Sequence, residues 1–593
     1  MKEFLKYTLA TITGLVLVCV VISLLCLLTF AGMASMESST APIADNSVLV
    51  VKLNGTLTER ATENPFAELL GNNAAELGLD DLLAAIKNAK ENDNIKGIYL
   101  EAGSLAGATP AMLQELHDAL ADFKTSDKFI LSYGDNYSQG SYYLCSVADS
   151  VVINPKGLVE LQGFASQVLY YKNLMDKIGV KMQVFKVGTY KSAVEPYILD
   201  DMSDANREQI TTFLGEIWDE LLADMSKSRK IKAEKLNELI DSAMIFKGTD
   251  YYLKNKIVDK IAYSDEVPNI IAAMMGCEKD DYNLAQVKDA AAAQNSKPKS
   301  IKGEEIAVYY AYGEIVQDAS SSLMQTEQQI VGSKVVKDLK ELADDEDVKA
   351  VVLRVNSPGG SAYASEQIWN QVMNIKSKKP IIVSMGGYAA SGGYYISCAA
   401  DWIVAEPTTL TGSIGIFGMF PEASELLTDK LGLNSVVVKT NEYADFGDYF
   451  RPMNEGESAA LQAYINRGYE LFTKRCADGR GIAQDSIKVI GEGRVWTGTH
   501  AKTIGLVDQL GNLDDAIAVA KKKAKLEDCT VKTYPAKPNM FEQLLEETKG
   551  ESYADAQLKE TLGEYYDIYR SVKDVRSKDK IQAALPYVIK FNL

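Results

Sequence analysis

Short apolar runs alternate with amphipathic stretches along most of the chain. The runs KAVVLRV (349–355), PIIVSMG (380–386) and DWIVAE (401–406) are apolar on both faces, whereas SKVVKDLKELADD (333–345) carries apolar residues at helical spacing. Strands that are apolar on both faces are typical of parallel sheets covered by helices. The pattern therefore predicts an α/β fold with a mainly parallel sheet.

This alternation of apolar runs and amphipathic stretches occurs twice along the chain. Three pairs of segments match in the same order at nearly constant offset, which makes chance an unlikely cause: 92–104 with 345–357, 132–155 with 384–407, and 246–261 with 496–510. Fixed-offset similarity is the mark of internal repeats. We therefore expect a tandem duplication, organised as a cytoplasmic stub and transmembrane anchor (1–40), a first repeat (45–288), a linker rich in Ala, Ser, Lys and Pro (289–303), a second repeat (304–530) and a helical tail (531–593).

The N-terminus carries a long apolar stretch. No charge lies between Lys6 and Glu37, and LVLVCVVISLLCLLTFA (15–31) is almost wholly apolar. About 20 such residues span a bilayer, whereas the apolar region of a signal peptide is about 7–15 residues long. With Lys2 and Lys6 ahead of it, the segment predicts a single-pass anchor in a bacterial inner membrane, with the bulk of the chain facing the periplasm. A cleaved signal peptide is the alternative.

The composition of the chain argues against several kinds of ligand and functional site. The formal net charge of −19 argues against nucleic acid, whose phosphates need a basic surface. Seven cysteines are scattered without a CxxC pair, and the two histidines, His117 and His500, are far apart. We expect His117 on a helix surface and His500 near a helix start. A disulfide scaffold, a zinc site and a Ser-His-Asp triad are all disfavoured, and no metal or cofactor is expected.

Two glycine-rich turns surround one candidate nucleophile. RVNSPGGSA (354–362) follows a predicted strand, and Gly359-Gly360 should open a helix with exposed backbone N–H groups. In AASGGYY (389–395), Ser391 should start a second helix with the Gly392 N–H pointing the same way. Two donors and a hydroxyl at neighbouring strand ends suit acyl transfer through an oxyanion. Tight turns that simply need glycine are the alternative.

A serine hydroxyl needs a base, and a lysine kept neutral by desolvation can replace histidine. In the repeat register, Lys191 of GTYKSAVEPY (188–197) stands opposite Ala444, and Ser391 stands opposite Gln139. One copy thus holds the hydroxyl and the other the amine, so we expect each site to be assembled from both repeats, within one chain or between chains. A solvated surface lysine is the alternative.

The motifs RVNSPGGSA, SMGGYAASGGYYIS, TLTGSIGIFG (409–418) and GTYKSAVEPY resemble the signal peptide peptidase A family in its long, duplicated bacterial form, also called protease IV. The resemblance implies the fold shared by the Clp protease subunit and the crotonases. It implies Ser391 as nucleophile, Lys191 as general base, Ser413 as the residue that orients the lysine, and Gly392 with Gly359-Gly360 as oxyanion hole. It also implies a homotetramer whose substrates are signal peptides left in the membrane.

Together these expectations describe a membrane-anchored serine endopeptidase with a Ser-Lys dyad. Two other classes remain open from the sequence. One is a crotonase-type acyl-CoA enzyme, which shares the fold but acts in the cytoplasm. The other is a membrane scaffold that kept the fold and lost activity.

Overall fold

The computed structural model describes parts of residues 6–21 and residues 41–61, 76–279, 281–295, 303–318, 328–537 and 581–585. Most of the predicted anchor, 15–31, lies outside these ranges. Within them, no helix combines the length and the apolar character that crossing a membrane requires.

The first repeat is built on a parallel sheet. Its strands are β1 Ser47–Thr58, β2 Glu76–Gly78, β3 Ile95–Ala106, β4 Phe129–Gly134, β5 Tyr137–Ser138, β6 Ser150–Ile153, β7 Val159–Glu160, β8 Lys181–Lys186, β9 Lys260–Ile261 and β10 Asn283–Gln286. The main sheet has the order β10-β1-β3-β4-β6-β9 with β2 beside β1, and all its pairs are parallel. Its helices are α1 Leu79–Glu91, α2 Pro110–Phe123, α3 Gln139–Cys145, α4 Lys172–Ile178, α5 Glu195–Ile198, α6 Asp204–Arg229, α7 Ala233–Asp241, α8 Thr249–Lys254, α9 Val267–Met275 and α10 Val287–Asn295.

The second repeat has a matching sheet. Its strands are β11 Glu305–Tyr312, β12 Glu314–Val316, β13 Gln329–Val331, β14 Val348–Ser357, β15 Gly359–Ser361, β16 Ile381–Ala390, β17 Trp402–Ala405, β18 Leu410–Gly412, β19 Phe417–Glu422, β20 Val495–Thr497, β21 Gln509–Leu510, β22 Thr530–Tyr534 and β23 Ile581–Ala584. Its helices are α11 Gly332–Asp344, α12 Ala362–Lys376, α13 Gly392–Ser397, α14 Glu455–Arg480, α15 Gln484–Ile490, α16 Gly498–Thr503 and α17 Leu513–Ala524.

The strand orders confirm the duplication and the α/β class. The run β22-β11-β14-β16-β17-β21 repeats β10-β1-β3-β4-β6-β9 strand for strand, with parallel pairing throughout. Along β14, Val351 and Leu353 face one apolar cluster and Val352 faces another, and all three are fully buried. Burial on both faces explains the continuous apolar run of this strand.

A third sheet combines the two repeats. Its order is β13-β12-β15-β23-β19-β8, so that a strand of the first repeat, β8, lies antiparallel to β19 of the second. Because Lys191 follows β8 by only a few residues, this pairing carries the lysine toward the second repeat.

At three places the described residues differ from the local predictions. Residues 289–295 of the predicted linker belong to helix α10, whose Ala290 and Ala291 are buried against the first repeat, because alanine favours helix as readily as loop. In the predicted helical tail, residues 531–534 belong to β22, which begins at Thr530, and residues 581–584 form β23 in the third sheet. The rest of the tail from 538 to 580 and from 586 to 593 lies outside the described residues. Gly359-Gly360 form the short strand β15, and the helix begins only at Ala362.

A buried charge cluster ties the repeats together. The Arg354 guanidinium on β14 contacts Glu59 at 3.1 Å and Glu115 at 2.6 Å, and each of these side chains is at most 2% exposed. Asn356 also donates to Glu59, at 2.8 Å. Both carboxyl groups come from the first repeat, so one arginine of the second repeat is shared by two buried acidic side chains of the first.

We predict that Arg354→Ala lowers the free energy of unfolding by about 3–5 kcal/mol, because it leaves two buried carboxylates without their cation. The matched control is Lys87→Ala. Its ion pair with Asp514 also joins the repeats, but both side chains are more than half exposed, so the change should stay within about 0.5 kcal/mol. Urea unfolding measures both, and equal losses would contradict the prediction.

Candidate active site

Ser391 occupies a strained turn between β16 and α13. Its φ is +55°, a region that residues other than glycine rarely adopt, and its N–H donates to Gly412 O at 2.8 Å. A Cβ on Gly392 would lie 2.7 Å from Ser365 Oγ, and one on Gly393 would lie 2.7 Å from Ser357 O. The small residues after Ser391 therefore let helix α13 pack against the β14–β15 turn.

The structure brings Lys191 and Ser413 to this hydroxyl. Lys191 Nζ lies 2.8 Å from Ser391 Oγ, 3.0 Å from Ser413 Oγ and 3.2 Å from Ser413 O. All three residues are fully buried. The amine comes from the first repeat and both serines from the second, within one chain.

Burial sets the charge state of the amine. The three nearest partners of Nζ are neutral oxygens, and desolvation holds the pKa of Lys191 well below its ordinary value. A neutral amine has two N–H donors and one lone pair. Its donors match the two Ser413 oxygens, which leaves the lone pair directed at the Ser391 hydroxyl.

Glycines that the sequence reasoning missed make room for the lysine stem. A Cβ on Gly493 would lie 2.6 Å from Lys191 Cβ, and one on Gly415 would lie 3.1 Å from Lys191 Cδ. Next to Gly493, Glu492 O accepts the Tyr190 N–H at 2.9 Å. A single sequence offers no signal for these glycines, because their role depends on a chain segment far away in the sequence.

A polar cluster holds the loop that carries Lys191. Gln209 Nε2 donates to Tyr190 O and to Ser192 Oγ, each at 3.1 Å, and Ser192 Oγ donates to Asn206 Oδ1 at 2.9 Å. Gln209 Oε1 accepts the Val495 N–H at 3.2 Å. The residues on both sides of Lys191, Tyr190 through its carbonyl and Ser192 through its hydroxyl, are thus held by helix α6, which also contacts the second repeat.

Ser413 sits in a second strained turn. Its φ is +48°, and its N–H donates to Arg494 O at 2.6 Å. This backbone bond orients both the hydroxyl and the carbonyl of Ser413 toward Lys191.

The three glycines predicted to form the oxyanion hole differ in what their backbones contact. Gly392 N lies beside Gly359, at 2.8 Å from the position of a Cβ there. The Gly359 N–H donates to Ser357 Oγ at 3.1 Å, and Gly360 packs against the backbone of Ile315 on β12. All three line one short stretch of backbone next to Ser391.

The residues that correspond to Ser391 and Lys191 in the other repeat have different roles. Gln139, opposite Ser391, accepts the N–H groups of Gln162 and Gly163 at 3.0 and 2.8 Å. Ala444, opposite Lys191, is exposed. Among the described residues the Lys–Ser pairing occurs once, at Lys191.

Both histidines form their contacts outside the candidate active site. His500 Nδ1 lies 3.1 Å from Glu216 Oε1. The expectation of a surface His117 is wrong, because its ring is buried, stacks on Tyr143 and lies 3.3 Å from Ser228 Oγ.

Comparison with known proteins identifies the family of this chain. The model of peptidase family S49 matches residues 122–277 and 374–527, and the Clp protease model matches residues 302–405. The chain is 37% identical to Protease 4 of Salmonella typhi, covering 85% of this chain and 82% of that protein. It is 34% identical to Protease 4 of Haemophilus influenzae, covering 82% and 80%.

Two further similarities are weaker. The chain is 28% identical to the chloroplastic serine protease SPPA of Arabidopsis thaliana, covering 82% of this chain and 70% of that protein. Among solved structures, ClpP1 from Listeria monocytogenes is 18% identical, and the match covers 35% of this chain and 92% of that chain with a TM-score of 0.22.

The protein is therefore a serine peptidase built on two Clp protease-like repeats. The chain belongs to peptidase family S49.

We predict that Gly493→Ala lowers kcat/KM on a peptide substrate about a hundredfold, because the new methyl group displaces the Lys191 stem from Ser391. The matched control is Gly481→Ala. Both glycines have positive φ, +76° and +65°, but a Cβ added to Gly481 would have no atom within 4 Å. Backbone strain is thus shared and only the contact with Lys191 differs. Equal activity of the two variants would contradict the prediction.

Proposed function

We propose that this chain is a membrane-anchored serine endopeptidase with a Ser391–Lys191 dyad that digests cleaved signal peptides. Membership in a serine peptidase family sets aside the acyl-CoA alternative and disfavours an inactive scaffold. The observation that carries the proposal is a fully buried amine 2.8 Å from the Ser391 hydroxyl.

The reaction follows from this geometry. As Ser391 Oγ bonds to the carbonyl carbon of the scissile peptide, the neutral Lys191 amine accepts the hydroxyl proton. The resulting ammonium has three donors and retains the two oxygens of Ser413 as acceptors. It then gives one proton to the departing amine, which leaves an acyl-enzyme. Lys191, neutral again, takes a proton from the water that attacks the ester carbonyl. It returns this proton to Ser391 Oγ as the acyl–oxygen bond breaks, which restores the hydroxyl and the neutral amine.

The carbonyl oxygen becomes negative in the first step and needs donors. Gly392 follows Ser391 at the N-terminus of α13, and Gly359 and Gly360 lie directly beside it. We assign the oxyanion hole to this backbone, which is held in place by the packing of α13 on the β14–β15 turn. The Gly359 N–H donates to Ser357 Oγ in the structure and would exchange that partner for the oxyanion.

Replacement of either dyad residue tests the mechanism. We predict that Ser391→Ala and Lys191→Met lower kcat by about 10⁴-fold on a synthetic signal peptide in detergent, because each removes the nucleophile or its base. In the unaltered chain, kcat/KM should rise with pH through the lowered pKa of Lys191, because only the neutral amine accepts a proton.

Lys254→Met is the control for this assay, because Lys254 is exposed and lies at the end of α8. It should keep full activity and the same pH profile. A profile that is flat from acidic to alkaline conditions, or an active Lys191→Met variant, would exclude the dyad.

The membrane location rests on the sequence. The apolar run 15–31, preceded by Lys2 and Lys6, is long enough to span a bilayer. We predict that the full chain, expressed in a bacterium, stays with the membrane fraction through alkaline extraction. Recovery in the soluble fraction with residues 1–40 removed would show a cleaved leader instead.

The pairing of β8 with β19 supports an oligomer, because the segments that correspond to these two strands in the other repeat do not pair with each other in the described chain. At the repeat offset of 253, residues 434–439 correspond to β8 and residues 165–169 to most of β19. Residues 434–439 are all exposed and form no strand in the described chain; Val436 and Val438 are 90% and 95% exposed.

We infer that residues 434–439 of one copy pair with residues 165–169 of the next. The internal register places Phe185 opposite Gly418, which puts Val438 opposite Ala165 of a second copy. Such a head-to-tail contact repeats from copy to copy and closes into a ring when the rotation allows. The homotetramer implied by the family resemblance is the ring we propose.

We predict that Val438→Glu reduces the sedimenting mass to that of one chain, because it places a charge in the joining strand. Val489→Glu is the matched control, since Val489 is an 82% exposed valine on α15. Sedimentation velocity measures both. A single-chain mass for the unaltered protein, or an intact oligomer of Val438→Glu, would contradict this pairing.

A further inference from the structure

A guanidinium group contacts the loop that carries the candidate base. The Arg494 guanidinium carbon lies over the Tyr190 ring, 4.7 Å from its centre, and over the Trp496 ring, 4.4 Å from its centre. Arg494 Nη1 donates to Tyr190 Oη at 3.1 Å, and Nη2 donates to Glu208 Oε1 at 2.9 Å. The Tyr190 hydroxyl in turn donates to Glu208 Oε2 at 3.1 Å. We call these four side chains the arginine clamp, because one planar fork of donors serves two rings and a carboxylate.

On one side, the arginine clamp holds the residue directly before Lys191. The Tyr190 N–H donates to Glu492 O at 2.9 Å, and the Tyr190 carbonyl accepts Gln209 Nε2 at 3.1 Å. Tyr190 is therefore fixed at its ring, at its hydroxyl, at its N–H and at its carbonyl. The stem of Lys191 starts from this fixed point.

On the other side, the same short segment holds the turns that carry the two serines. Arg494 O accepts the Ser413 N–H at 2.6 Å. A Cβ on Gly412 would lie 2.8 Å from Trp496 Cδ1, and Gly412 O accepts the Ser391 N–H at 2.8 Å. The backbone of Arg494 and the ring of Trp496 thus contact the turn that bonds both serines.

We propose that Arg494 is a positioning residue of the peptidase site, whose side chain holds the Lys191 loop while its carbonyl holds the Ser413 turn. The inference rests on the proposed function and adds the residue that sets the distance between the base and its oxygen partners. The Lys191 amine, 2.8 Å from Ser391 Oγ and 3.0 Å from Ser413 Oγ, bridges the same two parts of the chain that Arg494 joins. Proton transfer depends steeply on such distances.

A conservative substitution separates position from charge. Charged and titratable groups surround the arginine clamp and the lysine loop on each packed element: Glu208 on α6, Glu492 before β20, Tyr469 on α14, Lys186 on β8 and Glu195 on α5. Arg494→Lys leaves all of them in place and keeps the positive charge. The ammonium of a lysine is a point charge that reproduces neither the planar fork nor its flat contact with the rings.

Arg494→Lys tests the role through the pH dependence of the reaction. The measurement is kcat/KM of the full chain on the synthetic signal peptide in detergent. A loosened loop lets water reach Lys191, which favours the ammonium and raises its pKa from the lowered value that burial gives. We expect the acidic limb of the profile to move about one pH unit toward alkaline conditions. The rate should therefore fall about tenfold below the midpoint and recover as the pH rises above it.

Arg475→Lys is the matched control. The Arg475 guanidinium also lies over a tryptophan ring, 3.7 Å from the centre of Trp369, and donates to Glu366 at 2.6 Å. Both arginine side chains are mostly buried, with 25% of Arg475 and 19% of Arg494 exposed. The control therefore loses the same kind of contacts at a place without the lysine loop. Its pH midpoint should equal that of the unaltered chain.

Tyr190→Phe is a second variant, which removes only the hydroxyl that Arg494 and Glu208 share. It should move the acidic limb in the same direction by about half a pH unit. In combination with Arg494→Lys it should add no further shift, because both changes act through one contact. This variant keeps the test decisive if Arg494→Lys is unstable.

Any of three results would overturn the inference: a loss of rate that is equal at every pH, an unchanged midpoint in both clamp variants, or an equal shift in Arg475→Lys. Each of these leaves the dyad in place, because the unaltered chain still shows its acidic limb. A flat profile of the unaltered chain would instead overturn the dyad, and with it the role of Arg494.

Discussion

The site depends on one constraint: an amine must be buried without a compensating charge. Desolvation of an ammonium costs several kcal/mol, so the amine stays buried only where the surrounding structure leaves it no route to water. Here Lys191 is enclosed by the second repeat, with Gly493 against its Cβ and Ser413 at its tip. The docking of the repeats therefore creates the base, and the third sheet and the Arg354 cluster both serve that docking.

Duplication allowed the two copies to diverge. In the first, Gln139 stands where the second has its serine, and its side chain fastens a loop. In the second, the counterpart of Lys191 is Ala444, on an exposed turn. The counterpart of β8 is also exposed and unpaired in the sheet. The same asymmetry thus explains the location of the site and the surface through which copies would join.

Several features could be predicted because they are local or repeated. Alternating apolar runs indicated the α/β class, and the constant offset exposed the duplication. The register then singled out Lys191, since Ser391 had no histidine in reach. Predictions failed where one stretch of sequence fits two structures. The alanines at 290 and 291 suit a loop or a buried helix, and Gly359-Gly360 suit a helix start or a strand. His117 was assigned to the surface because helical spacing does not reveal which face packs.

By itself, the sequence determined the parallel α/β architecture, the two repeats and the separation of hydroxyl and amine between them, because periodicity and register are properties of neighbouring residues. Only the tertiary structure decided that Lys191 reaches Ser391 within one chain, that Gly415 and Gly493 admit its stem, and that Arg494 joins the lysine loop to the Ser413 turn. These contacts join segments far apart in the sequence, and their energies depend on exclusion of water and on close approach of backbones, which no local pattern encodes.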